Sequence, residues 1–139
     1  MELLRTLFMS GAGDTETWAP FVLRVAFGFG LLAHALPKWK TFEQFQGYVA
    51  ALKWPAPVLF AQLARLAETV GSILLIVGLL VKPTSAVLAA YFLLVILTAH
   101  RGQKFKDGWE LSFLYFAGAL ALWTMNGAGV LALGTLVNP

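Results

Sequence analysis

Long apolar runs alternate with short polar stretches along most of the chain. A membrane-spanning helix needs about 20 mostly apolar residues, and four runs approach that length. Their predicted bounds are 18–37, 57–81, 84–100 and 109–126. The pattern therefore predicts an all-α fold, a transmembrane four-helix bundle, with residues 1–139 forming one membrane domain.

Proline marks the predicted ends of two of these runs. Pro37 follows the first run and is expected to end its helix, because proline interrupts helical hydrogen bonding. Lys82-Pro83 is expected to form the tight connection between the second and third helices. Asn126-Gly127 is a turn signal that should close the fourth helix.

A shorter amphipathic segment separates the first two runs. Phe42, Phe45, Val49 and Leu52 recur at spacings of three and four, which is the spacing of one apolar helix face. We expect a helix over about 41–53 that lies in the plane of the lipid headgroups. An ordinary polar loop is the alternative.

Composition supports a membrane protein and excludes cysteine chemistry. The chain is 59% hydrophobic and 12% charged, whereas a soluble domain carries about 25% charged residues. It has no cysteine, so a disulfide, a thiolate metal site or a persulfide cannot form on it. The lipid bilayer is thus the expected partner. Nucleic acid is not, because the basic residues cluster at the ends of the apolar runs.

The basic residues also predict an orientation. Six of them lie in the connections after the first and third helices: Lys38, Lys40, Lys53, Arg101, Lys104 and Lys106. The opposite side carries Arg5 and Lys82. Because cytoplasmic loops are enriched in Lys and Arg, the first-to-second and third-to-fourth connections are predicted to be cytoplasmic, with both termini outside.

Ionisable residues within the predicted spans are candidates for function, because each costs about 2.5–3.5 kcal/mol on insertion scales. The set is Arg24, His34, Arg65, Glu68, His100 and Glu110. At about 1.5 Å per residue, Arg24 and Glu68 reach depths of about 20 and 16 Å from the basic side. They are therefore predicted to form a structural ion pair inside the membrane. Arg65, one turn from Glu68, is the competing partner.

Two similar segments place both histidines on the basic side. Residues 33–40 read AHALPKWK and residues 99–106 read AHRGQKFK. We predict a polar ligand-binding pocket in that half of the membrane, formed by His34, Glu68, His100, Trp109 and Glu110. Catalytic residues and metal ligands remain unassigned. The alternatives are that the segments follow from membrane topology alone, that Glu110 favours a helix start, and that the ion pair only holds helices together.

The same residues resemble the DoxX family over about residues 19–125. The motifs are Arg24, His34 and Lys38; Tyr48 to Pro57; Arg65-Leu-Ala-Glu68-Thr-Val-Gly71; Ala99-His100; and Gly108-Trp109-Glu110. Ala35 departs from the glycine expected after the histidine. The resemblance implies a four-helix protein of a bacterial or archaeal inner (plasma) membrane. It also implies association with membrane redox complexes, since the family includes a small subunit associated with thiosulfate:quinone oxidoreduction.

Three functions follow as hypotheses. The first is an accessory subunit of a membrane redox system that binds quinone, or a similar lipid-soluble ligand, in the polar pocket. Under this hypothesis we expect an oxidoreductase-associated subunit rather than a stand-alone enzyme. The second is a non-catalytic assembly or chaperone-like membrane partner. The third is a metal- or haem-binding membrane protein, because histidines and carboxylates on several helices can form bundle metal sites. An oligomer and redox-complex partners are compatible with all three.

Overall fold

The computed structural model describes residues 18–125, 129 and 131–134, and within this part the fold is all-helical without strands. The helices are α1 (Trp18–Lys40), α2 (Phe42–Ala51), α3 (Pro57–Val77), α4 (Val81–Thr98) and α5 (Glu110–Thr124), with a wide turn, Phe105–Trp109, before α5. The all-α prediction is thus confirmed. The predicted surface segment does form a helix, α2, while its position at the headgroups remains a prediction.

Three helices in the described part are long and apolar enough to cross a membrane: α1, α3 and α4. The last helix, α5, has 15 residues and a length of about 22 Å at the usual helical rise. That is less than the roughly 30 Å of a bilayer core. The fourth crossing therefore remains a prediction, and its expected end at Asn126-Gly127 lies outside the described residues.

Helix α1 continues through Pro37, so the predicted end at this residue is wrong. A proline removes only its own N–H from the helical ladder, and α1 runs on to Lys40. The carbonyl of Pro37 accepts the backbone N–H and the hydroxyl of Thr41, each at 3.0 Å. As a result, Lys38 and Trp39 project from a helix and not from a loop.

The connection between α3 and α4 lies earlier than predicted. Helix α3 ends at Val77, and Gly78 adopts a left-handed conformation with φ 73°. The N–H groups of Gly78 and Leu79 bond to the Leu75 and Leu74 carbonyls, an arrangement that commonly closes helices. Lys82-Pro83 falls inside the first turn of α4, where a proline is tolerated because the first N–H groups have no helical partner.

The bundle is built from two helix pairs. Helix α1 packs chiefly against α3, and α4 packs chiefly against α5. Close approach in the first pair depends on Gly28, where an added Cβ would lie 2.7 Å from Ile76 Cγ1 and 3.0 Å from the Ser72 carbonyl oxygen. The pairs share a core that includes Leu31, Leu75, Leu88, Phe92 and Leu122. The short helix α2 packs on α3 and α1, at the end of the bundle where α1 finishes and α3 begins.

Candidate functional site

A cavity of about 710 Å³ lies between the two helix pairs, on the side that carries most of the basic residues. All five helices contribute to its lining, which is mainly aliphatic and aromatic. Its ionisable or hydroxyl-bearing side chains include His34, Lys38, Tyr48, Glu68, Tyr91, Thr98, His100 and Ser112. The volume and the mixture of apolar walls with a few polar groups are typical of small-molecule sites.

Glu68 is the centre of the polar groups. Its side chain is 1% exposed and forms a salt bridge with Lys38. Lys38 Nζ lies 2.6 and 2.5 Å from the two carboxylate oxygens, and the Tyr91 hydroxyl donates to Oε1 at 2.6 Å. A buried carboxylate needs such partners, because the loss of hydration is otherwise uncompensated. Three helices, α1, α3 and α4, therefore meet at one carboxylate.

Lys38 retains capacity for a further partner. An ammonium group has three N–H donors, and at most two of them bond to Glu68. The Lys38 Nζ also lies 4.9 Å from the centre of the Phe45 ring, which favours the charge electrostatically. One N–H donor is left beside the cavity.

The His34 imidazole lines the cavity one turn before Lys38. Its ring lies 6.0 Å from the Tyr115 ring, at an angle of 43°. Within the part of the chain that the structure describes, neither ring nitrogen has a hydrogen-bond partner. Both are therefore available to a molecule in the cavity.

His100 is engaged differently. Its Nδ1 lies 2.7 Å from Gln103 Oε1, and its Nε2 lies 3.0 Å from Ser112 Oγ. With Gln103 in this orientation its amide oxygen can only accept, so Nδ1 donates, while Nε2 is within hydrogen-bond distance of the Ser112 hydroxyl. His100 thus borders the cavity and connects the end of α4 to α5.

Two of the five predicted ligand-binding residues lie outside this cavity. Trp109 packs edge-on against Phe105, with ring centres 4.7 Å apart, and lines a separate depression beside His100. Glu110 Oε1 accepts the backbone N–H of Asp107 at 3.3 Å. Sequence spacing placed both in the half of the bundle that contains the cavity, but at the wide turn Trp109 lines the separate depression and Glu110 bonds to Asp107.

The predicted Arg24–Glu68 ion pair is wrong, because the structure gives each residue other partners. Arg24 is fully buried and donates to the carbonyls of Leu75, Ile76 and Leu131 at 3.0, 2.6 and 2.9 Å. Leu75 is seven residues beyond Glu68, or about 10 Å along α3. The guanidinium therefore caps carbonyls in the last turn of α3, where the regular helical hydrogen bonding ends.

The competing Arg65–Glu68 pair is not formed either. The Arg65 guanidinium lies between two aromatic rings, 4.1 Å from the Trp39 centroid and 3.7 Å from the Phe42 centroid. Its Nε donates to Gln62 Oε1 at 2.8 Å. Arg65 therefore packs the junction of α1 and α2 against α3.

Sequence reasoning missed two partners of Glu68. The sequence indicates an orienting role for Lys38 and places Tyr91 within the third apolar run, and neither pattern points to Glu68. A signal for Tyr91 was present: a tyrosine within a membrane span needs a partner for its hydroxyl. No such signal identified which carboxylate it would find.

Metal binding has limited support from the geometry. Across residues 18–125, 129 and 131–134, no group of three or more His, Asp and Glu side chains is arranged to hold a metal ion. His34 and His100 both line the cavity, but His100 already has partners for both nitrogens.

Comparison with known proteins identifies the family of the chain. No curated protein and no solved structure gives a significant match. The DoxX family model matches residues 19–101, a segment that runs from the start of α1 to the residue after His100. It contains His34, Lys38, Glu68 and Tyr91, whereas the wide turn and α5 lie beyond it. Because the match covers more than half of the sequence, the chain belongs to the DoxX family of membrane proteins.

Proposed function

We propose that this protein is an accessory subunit of a membrane redox system and that its cavity binds quinone or a similar lipid-soluble ring with carbonyl oxygens. The observation that carries the proposal is the cluster of Lys38 and Tyr91 around the buried Glu68 carboxylate, beside His34 with its unbonded ring nitrogens, in a cavity of about 710 Å³ with mainly apolar walls. A purely structural ion pair does not require a cavity next to it.

The chemistry of the lining suits such a ligand. A ring carbonyl oxygen only accepts hydrogen bonds, and the remaining Lys38 N–H and a His34 N–H are donors. Phe60 and Phe92 supply aromatic surface to the same cavity, which favours stacking or edge contacts with a flat ring. Imidazole also accepts and donates protons readily, so His34 suits the proton transfer that accompanies quinone reduction. A redox partner subunit would supply the electrons.

Ligand content of the purified protein tests this proposal. The protein is extracted in a mild detergent, and organic extracts are examined for quinones by mass spectrometry. We expect quinone with the unaltered protein and a loss of at least fivefold in His34→Ala and Glu68→Gln. Glu43→Gln, an exposed carboxylate on α2, is the matched control and should retain the ligand.

Two results would contradict the proposal. One is an unaltered protein that carries no quinone and does not bind one added in excess. The other is unchanged quinone content in both cavity variants after size-exclusion chromatography shows that they are folded. Variants that lose only stability or partner recovery would favour the assembly function instead.

We further propose that the protein crosses the inner (plasma) membrane four times, with the basic side in the cytoplasm. The chain has no cysteine, so single cysteines report topology without background. Gln44→Cys on α2 should react with a membrane-impermeant maleimide only after the cells are opened. Leu80→Cys, in the α3–α4 turn, should react in intact spheroplasts. The reverse pattern would place the basic side outside.

A further inference from the structure

A second cavity, of about 260 Å³, lies in the groove between α3 and α4. Ala67 of α3 and Val87 of α4 line both this groove and the larger cavity. From these shared residues the groove extends to Leu80 and Pro83, at the turn between the two helices. It therefore leads from the polar cluster toward the opposite side of the bundle.

The packing of the helices explains the groove. Helices α3 and α4 are joined by a short turn, yet α3 packs chiefly on α1 and α4 chiefly on α5. The two helices therefore leave space between them along much of their length. Apart from Thr84, the side chains that line this space are apolar, or the residue is glycine. Val87 is 61% exposed, so the groove lies at the surface that faces lipid.

We propose that this groove holds the hydrocarbon tail of the ligand whose polar ring occupies the larger cavity. The inference rests on the proposed function and narrows the ligand to an amphiphile, a ring with a polyprenyl or comparable long chain. The two cavities adjoin at Ala67 and Val87, which line both, and this adjacency supports the occupant. A ring held at Lys38 and His34 lies in the same cavity as these two wall residues, and the apolar groove on their other side would take its tail along α3 and α4.

Two probes test the groove independently of the ring site. One is a benzoquinone with a polyprenyl tail, and the other carries the same ring with a methyl group in place of the tail. Binding of each is measured with the full-length protein in detergent. Val70→Phe narrows the groove alone, because Val70 does not line the larger cavity, and we expect at least a tenfold loss of affinity for the tailed probe with less than a twofold change for the tail-less one.

Further variants show whether a loss of binding is caused by misfolding. Leu80→Trp narrows the groove from the α3–α4 turn, also outside the larger cavity, and should give the same selective loss. Ala117→Phe adds the same ring at an exposed position of α5, outside both cavities, and should bind both probes normally. A tailed probe with a photoreactive group at the chain end should label α3 and α4.

The outcomes separate the two proposals. Equal effects on both probes, or labelling confined to α1 and α5, would overturn the groove assignment and leave the ring site in place. Unaltered protein that binds neither probe would overturn the proposed function and the groove assignment with it.

Discussion

Lys38 Nζ contacts both carboxylate oxygens of Glu68, at 2.6 and 2.5 Å, across the interface of α1 and α3. The contact lies inside the cavity, and the carboxylate is almost completely buried. A buried ion pair usually adds little net stability, but removal of one partner leaves an uncompensated charge. Lys38 and Glu68 therefore stabilise each other's charge inside an apolar cavity, and the effect of removing one partner on stability can be measured.

Substitution of Lys38 alone should destabilise the protein more than simultaneous substitution of Lys38 and Glu68. Lys38→Met leaves the Glu68 carboxylate without its cation, and we expect a loss of about 3–5 kcal/mol in the free energy of unfolding. The double variant Lys38→Met, Glu68→Gln should recover most of this loss. Denaturant unfolding in detergent measures both. The prediction would be contradicted if the loss of stability in the double variant equalled the sum of the losses in the two single variants.

Close packing of α1 on α3 should be sensitive to a single methyl group. Gly28→Ala places a Cβ 2.7 Å from Ile76 Cγ1, and we expect a loss of about 1–3 kcal/mol from overpacking. Gly47→Ala in α2 is the control, because nothing lies within 4 Å of its added Cβ. Thermal unfolding should show a lower midpoint for the first variant and an equal or higher midpoint for the second.

Removal of the Arg24 guanidinium should loosen the end of α3. Arg24→Ala deletes charged hydrogen bonds to the carbonyls of Leu75, Ile76 and Leu131, and we expect a loss of about 3 kcal/mol. The Leu133 N–H, which bonds to the Val77 carbonyl, should exchange faster with deuterium. Arg101→Ala, at an exposed residue, should leave stability and exchange unchanged. Equal exchange in both variants would show that Arg24 does not support this segment.

Glu110 should be dispensable for ligand binding. Its carboxylate accepts the Asp107 N–H at the start of α5 and lies outside the cavity. Glu110→Gln should therefore keep the ligand content of the unaltered protein, whereas Glu68→Gln should lose it. A loss of ligand in Glu110→Gln would restore Glu110 to the site predicted from the sequence.

Apolar run lengths were sufficient to predict the helices and the half of the bundle that holds the site. Helix ends were less predictable, since a proline is compatible both with the interior of α1 at Pro37 and with the first turn of α4 at Pro83. The actual connection depends on the left-handed conformations of Gly78 and Leu80. Leucine gives no signal for that conformation.

Partners within the site were not predictable from depth alone. Arg24 and Glu68 have similar estimated depths, but the long side chain of Arg24 reaches the backbone carbonyls at the end of α3 and bonds to these instead. The similar segments around His34 and His100 also diverge: the first continues as helix to Lys40, and the second leaves the helix after Thr98. Sequence similarity of the two segments therefore does not produce equivalent environments for the two histidines.

The acceptors of Arg24 also bear on how the chain is made. Two of them follow it by 51 and 52 residues, and the third follows it by 107. A ribosome adds about 5–20 residues per second, so α1 emerges seconds before these carbonyls exist. During that interval the Arg24 guanidinium lacks these three carbonyl acceptors. The contacts that join Arg24 to the end of α3 and to Leu131 therefore form only after those segments have been synthesised, so the final packing of α1 follows the synthesis of the later chain.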